Sequence, residues 1–245
     1  MTDFDGLVAV VTGGTSGIGA ATVALLRKRG ATVASLDIVT GTADLVLACD
    51  VTDPVAVESA VATVVDTFGR LDVLVNNAGI GSTGDVAADD DAEWHHVLDV
   101  NVVGTARVTR AALPHLRRSP AAAIVNTCSV AAVVGLPQRA LYSASKGAVA
   151  ALTLAMAADH IREGIRVNAV IPGTADTPWV ARLLESADDP AAAATELRGR
   201  QPIGRLVSAD EVAHAIAYLA GPLSSSTTGT LLPVDGGLTG LRLPR

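Results

Sequence analysis

What constrains this chain most is a recurring unit, a short apolar run followed by a longer, alanine-rich amphipathic segment. Leu7–Val11 is apolar at consecutive positions, as a parallel strand covered on both faces must be. Gly17–Arg29 follows, with Ile18, Ala21, Leu25 and Leu26 on one side. Arg27, Lys28 and Arg29 close it where cations suit the helix dipole. Thr32–Leu36 and Leu45–Ala48 read as the second and third strands. Asp53-Pro54 pairs an N-cap with a proline at the first helical position and opens a helix to about Thr67. Val73–Val75 and Ala123–Asn126 are the next strands, with helical sequence from Glu93 to Arg117 between them. Leu141–Glu163 reads as a long helix, Arg166–Ile171 as a strand, Asp210–Leu219 as a helix and Thr230–Pro233 as the seventh strand. This alternation predicts an α/β chain with a doubly wound, seven-stranded parallel sheet and helices on both faces. Ligands of such sheets sit at the carboxyl ends of the strands.

No Pro/Ser-rich linker, run of like charge or internal repeat divides the 245 residues, so residues 1–245 are expected to form one domain. Thr174–Arg205 breaks the rhythm with Pro178, Asp188-Asp189-Pro190, an alanine run and several arginines. It reads as a lid over a site, against the plainer reading of a solvated helix pair. Cys49 and Cys128 are too few and too far apart for a disulfide framework or a thiolate metal cluster. His95-His96 point to different faces of a helix, and Asp89-Asp90-Asp91 reads as a helix start, so no metal is expected. A net charge of −7 disfavours nucleic acid as a partner. No apolar run reaches the roughly 18 residues that span a bilayer. The acidic start Met1–Asp5 lacks the basic region of a secretory signal, which predicts a cytoplasmic protein.

Directly after the first strand stands Thr12-Gly13-Gly14-Thr15-Ser16-Gly17-Ile18-Gly19. Glycines there let backbone N–H groups approach a diphosphate at a helix N-terminus. The strand-before, helix-after context is that of a dinucleotide-binding Rossmann unit, with Gly13, Thr15, Ser16, Gly17, Ile18 and Gly19 as its cofactor residues. Ala20 and Ala21 stand where a nucleoside-triphosphate loop needs Lys and Ser/Thr. Ile18 stands where a nucleophile elbow needs Gly. Asp37 closes the second strand. A carboxylate there accepts hydrogen bonds from ribose hydroxyls and repels a 2′-phosphate, which favours NAD over NADP.

Tyr142 and Lys146 lie four apart at the start of the long helix, hence on one face. An ammonium beside a phenol favours the phenolate, a usable general base. The set formed by the Thr12–Gly19 turn, Asn76-Asn77-Ala78-Gly79, Asn101, Ser129, Tyr142 and Lys146 resembles the short-chain dehydrogenase/reductase family. Pro172-Gly173 and Asp235-Gly236-Gly237 match as well, and the resemblance spans residues 5–238. It implies Tyr142 as acid/base, Ser129 as the partner of the substrate oxygen, and Lys146 as holder of the nicotinamide ribose. Asn101 would hold a water linking Lys146 to solvent. Asn77, Ala78 and Gly79 would border the adenosine, Asp50 and Val51 would contact adenine, and Ile171, Pro172, Gly173, Thr174 and Thr177 would surround the nicotinamide. Cys128 replaces the first serine of a common Ser-Ser pair.

Arg139, three residues before Tyr142, lies at the rim of this expected site, and the lid adds Arg182, Arg198, Arg200 and Arg205. Guanidinium groups suit a carboxylate. The lid resembles that of a subgroup acting on hydroxybutyrate and deoxy-sugar acids, which implies Arg139, Arg182 and Arg200 as carboxylate ligands, with Arg182 shifted by one position. The alternative pairs the lid arginines with Glu185, Asp188 or Glu196. The reading is an NAD-dependent oxidoreductase of a small hydroxy acid or sugar acid. A 3-oxoacyl-thioester reductase and a non-enzymatic dinucleotide sensor are the alternatives. Helical segments Asn101–Leu116 and Ser143–Asp159 are rich in Ala, Val and Thr, and the resemblance implies a homotetramer built on them, with the C-terminal end adding a further interface.

Overall fold

The computed structural model describes residues 3–185 and 187–243. In chain order its elements are β1 (Val8–Thr12), α1 (Gly17–Lys28), β2 (Thr32–Asp37), β3 (Leu45–Ala48), α2 (Pro54–Phe68) and β4 (Val73–Asn76). Then come α3 (Asp91–Leu98), α4 (Gly104–Leu116), β5 (Ala123–Thr127), α5 (Ala140–His160) and β6 (Arg166–Pro172). The last part comprises β7 (Ala175–Asp176), α6 (Pro178–Glu185), α7 (Pro190–Gly199), β8 (Val207–Ser208), α8 (Ala209–Ala220) and β9 (Leu231–Val234). Seven strands pair in parallel in the order β3-β2-β1-β4-β5-β6-β9, the sheet expected from the sequence. β7 and β8 make a separate two-stranded pairing that the sequence pattern does not announce.

Successive residues of a strand point to opposite faces, and both faces are covered here. Val8 and Val10 of β1 pack with Val57, Val61 and Val64 of α2 and with Val108 and Leu116 of α4. Ala9 and Val11 pack the other way, with Val23 and Leu26 of α1 and Ile216 and Leu219 of α8. A continuous apolar run is therefore obligatory in β1. Asp53 caps α2 by accepting from the Val55 and Ala56 N–H groups, Pro54 opens it, and Gly69 ends it at φ 78°. Asp90 caps α3 through the Glu93 N–H.

Two boundaries differ in ways that matter. The helical sequence from Glu93 to Arg117 is not one helix. It breaks into α3 and α4 around a π-helical turn at Asp99–Val103. Gly104 follows, packed so closely on Val51 that a Cβ there would lie 2.9 Å from Val51 Cγ2. The turn carries Asn101 inward to 1% exposure. The segment 174–205, expected to be a lid, folds as α6 and α7, with β7 before them pairing with β8 after them. The α5 segment with its following turn, Ala140–Glu163, is long and apolar enough to cross a membrane by length and composition. In this fold it packs against β6 instead, with Val149 and Ala150 beside Ala169 and Ile171.

Candidate active site

The chain reverses its direction of winding between β1 and β4, and a cleft of about 590 Å³ opens at their carboxyl ends. Gly13, Ser16, Gly17 and Ile18 line one end. Gly13 (φ 62°) and Gly17 (φ 51°) hold left-handed backbone that only glycine adopts freely. A Cβ on Gly13 would also lie 3.0 Å from Ala78 Cα. The first turn of α1 has no side-chain cap and no acidic residue, so its N–H groups are left for an anion. Thr15 and Gly19 do not line the cleft. Gly19 lies so close under Gly13 that a Cβ would meet the Gly13 carbonyl oxygen. Thr15 turns to Asp37, whose Oδ2 accepts from the Thr15 N–H at 3.0 Å and its hydroxyl at 2.7 Å.

Asp37, Asp50, Val51, Asn77, Ala78 and Gly79 all border the same cleft. Asp50 Oδ1 accepts from the Thr52 N–H and hydroxyl at 2.8 Å each, which holds its carboxyl below the usual carboxylate range. Asn77 donates to the Thr12 and Gly13 carbonyls at 3.2 and 3.1 Å and so pins the Gly-rich turn to the end of β4. A Cβ on Gly79 would lie 3.1 Å from Asn101 Oδ1 and 3.4 Å from Lys146 Nζ, so only glycine leaves both undisturbed.

Ser129, Tyr142, Lys146, Pro172, Gly173 and Thr174 line the cleft as well, and so does Thr177, which lies against Gly17, where a Cβ would come 3.3 Å from Thr177 Cγ2. Ser129 follows β5 and accepts from the Ala131 N–H at 3.2 Å. Lys146, one turn after Tyr142 on α5, donates to the Thr127 carbonyl at 2.9 Å, and its Nζ lies 5.8 Å from the Tyr142 ring centroid. Asn101 stands apart from these. Its Oδ1 accepts from the Ile80 N–H at 2.8 Å, and its Nδ2 donates to the Ile80 carbonyl at 2.9 Å and to Ser145 Oγ at 3.0 Å. Its side chain clamps the loop after β4 to α5, outside the cleft lining, and makes no bond to Lys146. Ile171, expected beside Pro172, is buried in the core with Cys128 and Val130 and does not line the cleft. Cys128 does line it. Its thiol donates to the Lys146 carbonyl, and burial pushes that thiol up. Cys49 is a second free, buried thiol, pushed up to about 11 by burial and nearby Asp50.

Arg139, Arg182 and Arg200 also line the cleft, whereas Arg198 and Arg205 do not, and both Arg200 and Tyr142 lie near enough to Arg139 to act on its charge. Arg139 donates to the Ser82 and Gln138 carbonyls at 3.4 and 3.1 Å and to the Thr83 hydroxyl, with no carboxylate partner among the described residues. Burial, and then the neighbouring Arg200, lower its pKa. Gln138 before it holds φ 58°, kept there by a bridge in which Gly84 donates to the Gln138 carbonyl and Ala140 donates to that of Gly84. Arg200 pairs with the exposed Glu196 one turn earlier, a pairing the plainer reading named, and still lines the cleft. Arg205 pairs with Glu211 instead. No group of His, Cys and carboxylates with metal-binding geometry occurs among the described residues. Trp179, Leu183, Leu197, Gly81, Ile38 and His96 line the cleft as well and carry no motif in the sequence.

The sequence profile described as "Enoyl-(Acyl carrier protein) reductase" matches residues 13–239. A cis-4-hydroxycyclohexanecarboxylate dehydrogenase of Sinomonas cyclohexanicum is 43% identical over 95% of this chain and 96% of that protein. The 3-oxoacyl-[acyl-carrier-protein] reductase FabG of Thermotoga maritima is 36% identical over 96% of this chain and 98% of its own length. Among solved structures, the ligand-free aldohexose dehydrogenase of Thermoplasma acidophilum superimposes with a TM-score of 0.93 at 35% identity, covering 100% of this chain and 99% of that one. The chain therefore belongs to the short-chain dehydrogenase/reductase family, oxidoreductases that act on alcohol and ketone groups with a nicotinamide nucleotide.

Proposed function

We propose that this protein oxidises the secondary alcohol of a small hydroxy acid, in particular a ring-bearing one, or of a sugar acid, with NAD. One observation carries the reading: Arg139, Arg182 and Arg200 line the same cleft as Ser129 and Tyr142, with Arg200 and Tyr142 both close to Arg139. An anion drawn to the arginines brings a hydroxyl a few carbons away toward the phenol. The name of the Sinomonas relative, a hydroxycyclohexanecarboxylate dehydrogenase, is that combination of ring, hydroxyl and carboxylate.

Ser129 and Tyr142 hold the alcohol oxygen, and Tyr142 takes its proton as general base. Lys146 is fixed by the Thr127 carbonyl with its ammonium 5.8 Å from the centre of the Tyr142 ring, where it can hold the nicotinamide ribose. Asn101 keeps the floor of the site rigid by clamping Ile80 against α5. The nicotinamide, when bound, supplies the hydride acceptor. The glycine cradle and the uncapped first turn of α1 suit its diphosphate. Asp37 stands ready for ribose hydroxyls, with Thr15 bound to one oxygen of its carboxylate. No Lys or Arg in the turn offers a 2′-phosphate a partner, so NAD is preferred.

The 3-oxoacyl-thioester reductase reading rests on the likeness to the Thermotoga reductase, and Asp37 weighs against it through the cofactor. A panel of hydroxy acids, sugar acids and 3-hydroxyacyl thioesters with NAD, followed at the absorbance of the reduced nicotinamide, tests the proposal. Turnover of the acids is the expected result. Turnover of thioesters alone overturns it. Assembly as a homotetramer through α4 and α5 belongs to the same proposal, supported by an exposed apolar face on α5 that includes Ala151, Leu154, Ala155 and Ala158.

A further inference from the structure

The lid carries one aromatic residue, Trp179 of α6, and it remains 41% exposed in a chain with only 2% aromatics. Its indole rests on Gly81. A Cβ built on Gly81 would lie 2.4 Å from Trp179 Cζ2 and 3.2 Å from both Cε2 and Cη2. Gly81 is not in the left-handed region, so its backbone accepts any residue and what it provides is space. Beyond it, the loop at Ser82–Gly84 is bonded to Arg139 through the Ser82 carbonyl and the Gly84 bridge. Gly81 therefore seats the lid on the wall that also carries a guanidinium. Val130, Leu136, Leu183 and Leu197 add aliphatic surface to the lining of the same cleft.

From this arrangement we infer that Trp179 is the specificity-determining residue for ring-bearing alcohols and that Gly81 acts through it by leaving room for the indole. This rests on the reading of the cleft's arginine end as the substrate site, and it names the hydrocarbon that site selects. An indole offers a rigid apolar wall. A saturated ring presents a matching rigid face and has fewer rotors to freeze on binding than an open chain. Selection comes from the indole, and the arginines supply anion affinity to ring and chain alike.

The test compares cis-4-hydroxycyclohexanecarboxylate, open-chain 4-hydroxypentanoate and uncharged cyclohexanol with wild type, Trp179→Ala, Gly81→Ala and the double variant. Loss of a packed apolar wall is expected to lower kcat/KM for both ring alcohols roughly 10–100-fold in Trp179→Ala, and for the open chain by less than about threefold. Gly81→Ala is expected to give a similar ring-selective loss, mainly in KM, and to add little in the double variant, because the indole it displaces is already gone. In Trp94→Phe, Trp179 is the single tryptophan, and its fluorescence is expected to change on titration with cyclohexanecarboxylate but not with hexanoate. Equal losses for ring and chain, additive effects of the two substitutions, or failure of the wild type to oxidise either ring alcohol overturn the inference. Oxidation of cyclohexanol but of neither acid overturns the hydroxy-acid reading and leaves the role of Trp179 intact.

Discussion

Tyr142 is the residue on which the proposed chemistry turns. Tyr142→Phe removes one hydroxyl from α5 and leaves its packing alone. Turnover is expected to fall roughly 10²–10⁴-fold, the usual worth of a general base, while cofactor titration stays near wild type. Retention of near-normal turnover contradicts the assignment. At the opposite end, Asp37→Ala is expected to weaken NAD binding and narrow discrimination against NADP. Tighter binding of NADP by the unaltered protein contradicts the reading of Asp37. At the substrate end, Arg200→Gln is expected to raise KM for a hydroxy acid by roughly 10–100-fold, the worth of a charge-assisted hydrogen bond, with a smaller change in kcat. Tyr142, Lys146 and the Gly-rich turn stand out in the sequence by type and spacing, and Ser129 by the family resemblance; the structure places Tyr142, Lys146, Ser129, Gly13, Ser16 and Gly17 around one cleft. Asn101 was legible as a position but not in its contacts, which depend on a π turn. Trp179 and Gly81 were not legible as a pair, since nothing in the order of residues says that an indole will lie on a glycine nearly a hundred positions earlier.

Elements were readable to the extent that burial is periodic. β1 is buried on both faces and reads as an uninterrupted apolar run, whereas two-residue strands such as β7 and β8 leave no periodic trace. Tertiary capping is equally silent: Arg166, a strand residue, donates to the carbonyls of Leu219, Ala220 and Gly221 and closes the C-terminus of α8 from across the sheet. At its N-terminus α8 begins one residue earlier than the Asp210 expected from the sequence, because Ser208 and Glu211 form a capping box. Arg205 beside Glu211, with the Ser208 N–H, lowers its carboxyl to about 2. A depressed carboxyl pKa contributes stability that is present above the ordinary value and lost as pH falls toward 2. The group is exposed, so solvent screening keeps the effect to about 0.5 kcal/mol. Glu211→Gln is therefore expected to melt roughly 1–2 °C below wild type at pH 7. That gap should close as the pH approaches 2, which thermal melts at a series of pH values check directly. A gap that widens in acid contradicts the pairing.

Taken whole, the molecule is a seven-stranded frame whose switch point opens a long cleft, with residues of α6 and α7 in its lining. Large side chains left exposed on α8 (Tyr218), in the turn after it (Leu223) and near the C-terminus (Leu241 and Leu243) lie where a further contact between copies is expected. Light scattering at micromolar concentration is expected to give the mass of a tetramer, and a monomer contradicts the assembly. The claim joining the two ends of the cleft is that an anion on the arginines presents an alcohol to Tyr142 for oxidation by NAD. It is tested most directly by initial rates with NAD on cis-4-hydroxycyclohexanecarboxylate and on its uncharged carboxamide, which differ only in the group the arginines hold. The expected result is NAD reduction with the acid at a kcat/KM at least tenfold above that of the amide, abolished in Tyr142→Phe. Equal rates with acid and amide, or no reduction of NAD with either, would contradict it.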